Sequence, residues 1–61
     1  MNDEERKEKF KIALIKSGMN MKEFCLNFGI NYSVFNQAIN GFTSMKEEFT
    51  RVVDKFISQF N

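Results

Sequence analysis

The 61-residue chain contains no His, no Trp and no Pro, and it has a single Cys. One Cys cannot form a disulfide within the chain, and a zinc site made of Cys and His ligands is excluded by the same composition. The lack of His also removes the usual proton shuttle of catalysis near neutral pH. We therefore predict no metal, no cofactor, no small-molecule ligand and no enzymatic activity.

The chain also lacks an excess of positive or negative charge, and it lacks long apolar runs. Nine Lys and Arg against eight Asp and Glu give a net charge of +1, so no overall field draws the chain to nucleic acid or to an anionic membrane. The longest apolar run, Ile12–Ile15, is too short to cross a bilayer. The N-terminus lacks the basic and then apolar order of a signal peptide. We predict a cytoplasmic protein with one domain over residues 1–61.

The chain is nevertheless rich in apolar residues, which make up 43% of it and include eight Phe. This content is too high for a disordered chain. The only glycines, Gly18, Gly29 and Gly41, divide the sequence into four segments, each with apolar residues at helical spacing. We predict an all-α, compact four-helix domain with helices over 3–17, 21–28, 32–40 and 45–60.

Each predicted helix begins at a residue whose side chain can cap free backbone amides. The first begins at Asn2 or Asp3 and the third at Asn31. Two capping boxes, in which a polar residue precedes a Glu by three positions, open the second and fourth helices: Asn20 with Glu23, and Ser44 with Glu47.

The helical period also separates buried from exposed apolar residues. In the second helix Cys25 lies on the apolar stripe with Phe24 and Phe28, which predicts a buried thiol with no chemical role. The fourth helix carries the widest stripe, formed by Met45, Phe49, Val52, Val53, Phe56, Ile57 and Phe60. Four apolar residues lie outside these stripes, and their predicted exposure indicates a protein interface: Ile12, Ile15, Leu26 and Phe42.

The two middle helices, joined by Gly29-Ile30-Asn31, have the spacing of a DNA-binding helix-turn-helix. Gly29 permits a sharp reversal, and Ile30 is expected to fill the angle between the helices. From about Phe10 to Ile57 the sequence resembles the Cro/C1-type (XRE-like) helix-turn-helix family of phage and bacterial regulators. The resemblance is best over residues 18–31, followed by Phe35, Gln37, Ile39, Asn40 and Gly41.

This resemblance implies a lambda-repressor-like fold and a transcriptional regulator, such as a repressor, that binds double-stranded DNA. The family reads base edges with the polar face at the start of the second motif helix, and it contacts the DNA backbone and nearby bases with the first residues of the preceding helix. Carried over to this chain, the DNA-binding residues are Met21, Lys22, Tyr32, Ser33, Asn36 and Gln37.

Two further expectations concern partners. A homodimer engaging two half-sites is expected to form through the last helix, with Phe56 and Phe60, together with Ile12 and Ile15. The alternative function is a co-regulator of the same fold that binds another protein, such as a transcription factor, through Leu26 and Phe42, with weak or no DNA binding. This alternative is favoured by the absence of Lys and Arg between Lys22 and Lys46.

Overall fold

The computed structural model describes residues 2–60 and consists of four helices: α1 (Asp3–Ser17), α2 (Met21–Phe28), α3 (Tyr32–Ile39) and α4 (Glu47–Gln59). These residues contain no strand, which confirms the all-α prediction. Met1 and Asn61, the two ends of the predicted domain 1–61, lie outside the described residues. Within residues 2–60, no helix combines the length and the apolar character needed to cross a bilayer.

The first three helices begin where local capping predicts. The Asn2 side chain accepts a hydrogen bond from the Glu5 amide at 2.8 Å. Asn20 and Glu23 form the reciprocal capping box, in which each side chain accepts from the other residue's backbone amide. These bonds satisfy amides that have no partner inside the helix.

Glycines end the first two helices, as predicted. Gly18 and Gly29 adopt the left-handed conformation, with φ of 75° and 67°, which costs glycine less than any residue with a Cβ. The third helix ends at Ile39, one residue before the predicted end, and Asn40 is its C-cap.

The predicted start of the fourth helix is wrong. Ser44 does not cap it: the helix begins at Glu47, after the N-cap residue Lys46, and no side chain caps this end. The physical reason is that Met45 packs against the core, which holds the connection out of the helix until the chain has passed this contact. The helix ends at Gln59, one residue before the predicted end.

The centre of the core is a cluster of four phenylalanine rings, one from each helix. Phe10 of α1 lies with its ring centroid 4.8 Å from that of Phe24 in α2, 5.6 Å from Phe35 in α3 and 5.8 Å from Phe56 in α4. Since every helix contributes a ring, this one set of ring contacts fixes the relative positions of the four helices. An ion pair between Arg6 Nε and Asp54 Oδ1, at 2.8 Å, adds a second link from α1 to α4.

The core corrects two predictions about apolar residues. Phe56, expected at a dimer surface, is 2% exposed and buried in the cluster of rings. The wide stripe of α4 is covered within the chain, because Met45, Val52 and Phe60 also pack against the core. Conversely Phe28, expected to be buried, is 46% exposed, since it lies at the edge of the space between α2 and α4.

Candidate nucleic-acid interface

The two middle helices are held together by their connection and by a ring contact. The Ile30 amide donates to the Cys25 carbonyl at 2.8 Å, and the Asn31 side chain caps α3 by accepting from the Val34 amide at 3.1 Å. Ile30 packs against the core, as expected for a residue that fills the angle between two helices. The ring centroids of Phe24 and Phe35 are 5.6 Å apart. These contacts fix the outward face of α3 relative to α2.

The outward face of α3 is polar and carries no charge. Ser33, Gln37 and Tyr32 are exposed, and Asn36 is partly exposed. On the opposite face Phe35, Ala38 and Ile39 are buried. The four side chains predicted to contact DNA on this helix are therefore brought together on one accessible surface.

The two residues of α2 predicted to contact DNA differ in their exposure. Lys22 is exposed, and its ammonium Nζ lies 5.6 Å from the centroid of the Tyr32 ring. This cation–π contact places a positive charge beside the first turn of α3. Met21 is only partly exposed and packs against the core, so its contribution to a binding surface is small.

One polar residue of this face was not among the predicted site residues. Asn40, the C-cap of α3, donates from its amide Nδ2 to the Asn36 backbone carbonyl at 2.8 Å and to the Asn36 side-chain Oδ1 at 3.0 Å. The signal in the sequence is the four-residue spacing of the two asparagines, which places them on the same helical face. From the sequence, Asn40 is predicted to end the helix and is one of the residues that carry the family resemblance, but it is not among the predicted DNA contacts.

Charges around this face are few. Between Lys22 and Lys46 the only charged residue is Glu23, and its carboxylate accepts from the Asn20 amide at 3.1 Å. Near the end of α3, a cleft of about 620 Å³ separates residues 38–45 from Asp3, Glu4 and Lys7 of α1. The electrostatic field at this surface is therefore weak, and what the surface offers to a ligand is mainly hydrogen-bonding groups and shape.

The four apolar residues predicted to escape the core are all exposed. Ile15, Leu26 and Phe42 are 80%, 82% and 81% exposed, and Ile12 is 52% exposed. Leu26 lies one helical turn after Lys22 on α2, and the Phe42 amide donates to the Gln37 carbonyl at 2.9 Å. Leu26 and Phe42 thus belong to the chain segments that adjoin the residues predicted to contact DNA.

A second surface that exposes apolar residues, together with polar ones, lies between the α2–α3 connection and α4. A cleft of about 310 Å³ is formed there, lined by Phe28, Ile30, Val34, Phe49 and Val52, with Lys46 and Glu48 among its polar residues. Sequence reasoning missed this surface because it placed Phe28 inside the core.

Cys25 is buried as predicted, with 1% of its surface exposed, and the loss of hydration on burial raises the pKa of its thiol. The thiolate that would act as a nucleophile is thereby disfavoured. Among residues 2–60 there is no group of three His, Cys, Asp or Glu side chains able to hold a metal ion.

Comparison with known proteins adds no family to this description. The chain matches no protein-family model, and neither curated proteins nor solved structures give a significant match.

Proposed function

We propose that this protein is a small Cro/C1-type transcriptional regulator that binds double-stranded DNA through α3, the second helix of a helix-turn-helix. The observation that carries the proposal is the uncharged polar face of α3, held in a fixed orientation by the Phe24–Phe35 contact. An α-helix with its side chains is about 10–12 Å across, and the major groove, about 12 Å wide, admits it. Such a regulator acts in the cytoplasm and needs no cofactor or catalytic group.

The side chains on this face match the groups that DNA presents. Gln37, whose carboxamide side chain is exposed, can pair with adenine by donating to N7 and accepting from N6. Ser33 reaches a base edge or a phosphate, and Tyr32 reaches a phosphate or a thymine methyl group. Lys22, beside the first turn of α3, supplies a phosphate contact.

A second copy of the chain completes the proposal. One copy presents little positive charge, so two copies on half-sites about one helical turn apart gain affinity by binding together. Because Phe56 is buried, the proposed contact uses Ile12 and Ile15 on the exposed side of α1, with Phe60 at its margin. Ile15→Asp should convert a dimer in sedimentation equilibrium to a folded monomer, and a wild-type protein that is monomeric at micromolar concentration would contradict the contact.

The experiment for DNA binding is selection from a pool of random duplexes at low and moderate salt, followed by titration of the selected sequence. Gln37→Ala should cost about 1–3 kcal/mol and relax the preference at one base pair per half-site. Lys22→Ala should weaken all sequences alike and flatten the salt dependence. Gln59→Ala and Lys55→Ala are matched controls, because both residues are exposed on α4. No selected sequence at either salt concentration would contradict the proposal.

A specific observation favours a second candidate function, a co-regulator that binds another protein such as a transcription factor. Leu26 and Phe42 are both more than 80% exposed, and α3 itself contains no positively charged residue. Exposed large apolar side chains are typical of protein interfaces. If the protein has this function, Gln37→Ala and Lys22→Ala should leave binding to the partner unchanged. Leu26→Asp or Phe42→Asp should instead abolish binding to the partner while helicity is retained.

A further inference from the structure

We propose that Asn40 is a specificity-determining positioning residue: it orients the Asn36 carboxamide so that its amino group faces DNA and selects guanine. The inference rests on the proposed DNA-binding function and specifies how one residue of that surface reads a base. It begins from the contact of Asn40 Nδ2 with two oxygens of Asn36, the backbone carbonyl at 2.8 Å and Oδ1 at 3.0 Å.

The orientation of both carboxamides follows from hydrogen-bond chemistry. A backbone carbonyl oxygen only accepts, so the Asn40 atom that lies 2.8 Å from it must be the amino nitrogen. This nitrogen can only donate, so the Asn36 atom at 3.0 Å must be the oxygen. Rotating either amide by 180° would bring two donors or two acceptors together. The backbone of α3 thus sets the orientation of Asn40, and Asn40 sets that of Asn36.

The consequence is a donor presented at the surface. Asn36 is partly exposed, and its Nδ2 forms no hydrogen bond with any other part of residues 2–60. Its Oδ1 is turned towards Asn40, which occupies one of the two acceptor positions of this oxygen, whereas both hydrogens of Nδ2 are available. In the major groove guanine presents two acceptors, N7 and O6, whereas adenine presents one acceptor and cytosine a donor. An asparagine oriented in this way therefore favours guanine.

The neighbouring residue has no such constraint. The Gln37 side chain is exposed and is not hydrogen-bonded within the described chain, so its oxygen and nitrogen are both available for adenine. Two adjacent carboxamides of the same chemistry are thereby expected to read different bases. The difference comes from the contact that only Asn36 has with Asn40.

The end of α3 does not depend on the Asn40 side chain. The Asn40 backbone amide itself donates to the Asn36 carbonyl at 3.2 Å, and the left-handed conformation that follows is adopted by Gly41, with φ of 85°. Substitutions of the Asn40 side chain are therefore expected to leave the helix intact. Circular dichroism of each variant verifies this before binding is measured.

The test first locates the base pair that Asn36 reads. Selected duplexes carrying each of the four base pairs at every position of a half-site are titrated with the wild type and with Asn36→Ala. The wild type should prefer guanine over cytosine by about tenfold at one position, and Asn36→Ala should bind all four base pairs there about equally.

Asn40→Asp then removes the donor that orients Asn36. A carboxylate only accepts, so it turns away from the Asn36 backbone carbonyl and can bond the Asn36 side chain only through its amino group, which leaves Oδ1 to accept from the cytosine amino group. At the mapped position the preference should shift by about tenfold or more from guanine towards cytosine. Asn40→Ala removes the orienting contact without adding charge, so adenine, which needs both atoms of the amide, should become about as well bound as guanine.

The added negative charge of Asn40→Asp needs its own control. Thr43→Asp introduces the same charge at an exposed position three residues further on. It should weaken binding to all duplexes and leave the guanine preference unchanged. In the free protein, the Asn36 side-chain amide resonances should move in Asn40→Asp and stay in place in Thr43→Asp.

The outcomes separate this inference from the function on which it rests. If the wild type selects no sequence, the proposed DNA-binding function fails, and this inference fails with it. If the wild type is specific but Asn36→Ala flattens no position, or flattens one that does not prefer guanine, the role of Asn36 is overturned while DNA binding stands. If Asn40→Asp and Asn40→Ala keep the wild-type preference at the mapped position, the positioning role of Asn40 is overturned.

Discussion

The substitution Phe24→Leu tests the reasoning about the core. The Phe24 ring is 0% exposed, and its centroid lies 4.7 to 5.6 Å from those of four other rings, Phe28, Phe10, Phe56 and Phe35. A leucine at this position keeps an apolar side chain of similar size but removes every ring-to-ring contact. The variant therefore isolates what the aromatic arrangement adds to simple burial.

The size of the effect follows from the number of contacts. A domain of 61 residues has a free energy of unfolding of about 3–9 kcal/mol, and Phe→Ala in a core costs about 3–5 kcal/mol, so alanine would leave much of the protein unfolded. For leucine we expect a loss of about 2 kcal/mol, since the volume change is small and the ring pairs contribute roughly 0.5–1.5 kcal/mol each without being additive. The melting temperature should fall by about 10 °C.

Urea unfolding followed by circular dichroism measures this loss as a shift of the midpoint at constant slope. Phe42→Leu is the matched control, because Phe42 is 81% exposed and forms no ring contact within residues 2–60. Its free energy of unfolding should change by less than about 0.5 kcal/mol. Equal losses in the two variants, or a loss below about 0.5 kcal/mol for Phe24→Leu, would refute the assignment of the ring cluster as the centre of the fold.

Two further predictions concern capping and pH. Asn20→Ala removes a capping box and should cost about 1 kcal/mol in urea unfolding, whereas Ser44→Ala, at a residue that caps nothing, should cost less than about 0.5 kcal/mol; equal costs would contradict the observed start of α4. Burial raises the pKa of the Cys25 thiol above the ordinary value of 9.0, so the unfolded chain ionises first and stability should be lost as pH rises above about 9. Cys25→Ala should lose less stability than the wild type between pH 8 and 10, and identical slopes would disprove the contribution of the thiol.

The parts of the fold that the sequence predicted correctly are those determined by neighbouring residues. Asn20 and Glu23 are three residues apart and cap each other without help from the rest of the chain. Gly18 and Gly29 end their helices because the conformation needed there is local. Helices α1 and α2 consequently have the predicted bounds.

The predictions are wrong where the structure depends on contacts between residues that are distant in the sequence. Ser44 and Glu47 have the same spacing as Asn20 and Glu23, yet Met45 packs against the core and prevents the helix from starting there. The apolar period likewise predicted that Phe28 is buried and that Phe56 lies at the dimer surface. Whether an apolar residue is covered depends on which helix lies opposite, and a periodic pattern contains no information on that point.

The candidate site also has one part that the sequence predicts and one part that it does not. The polar face of α3 could be predicted, because the burial of Phe35 and Ile39 leaves Ser33 and Gln37 outside by helical geometry alone. The orientation of Asn36 could not, since it depends on which atom of Asn40 meets the carbonyl at the end of the helix. In the DNA-binding function that we propose, this face offers no charge, so the choice between base pairs would depend on the direction of a few amide groups, and the contact of 3.0 Å between the two asparagines is the one that we propose sets the base bound by Asn36.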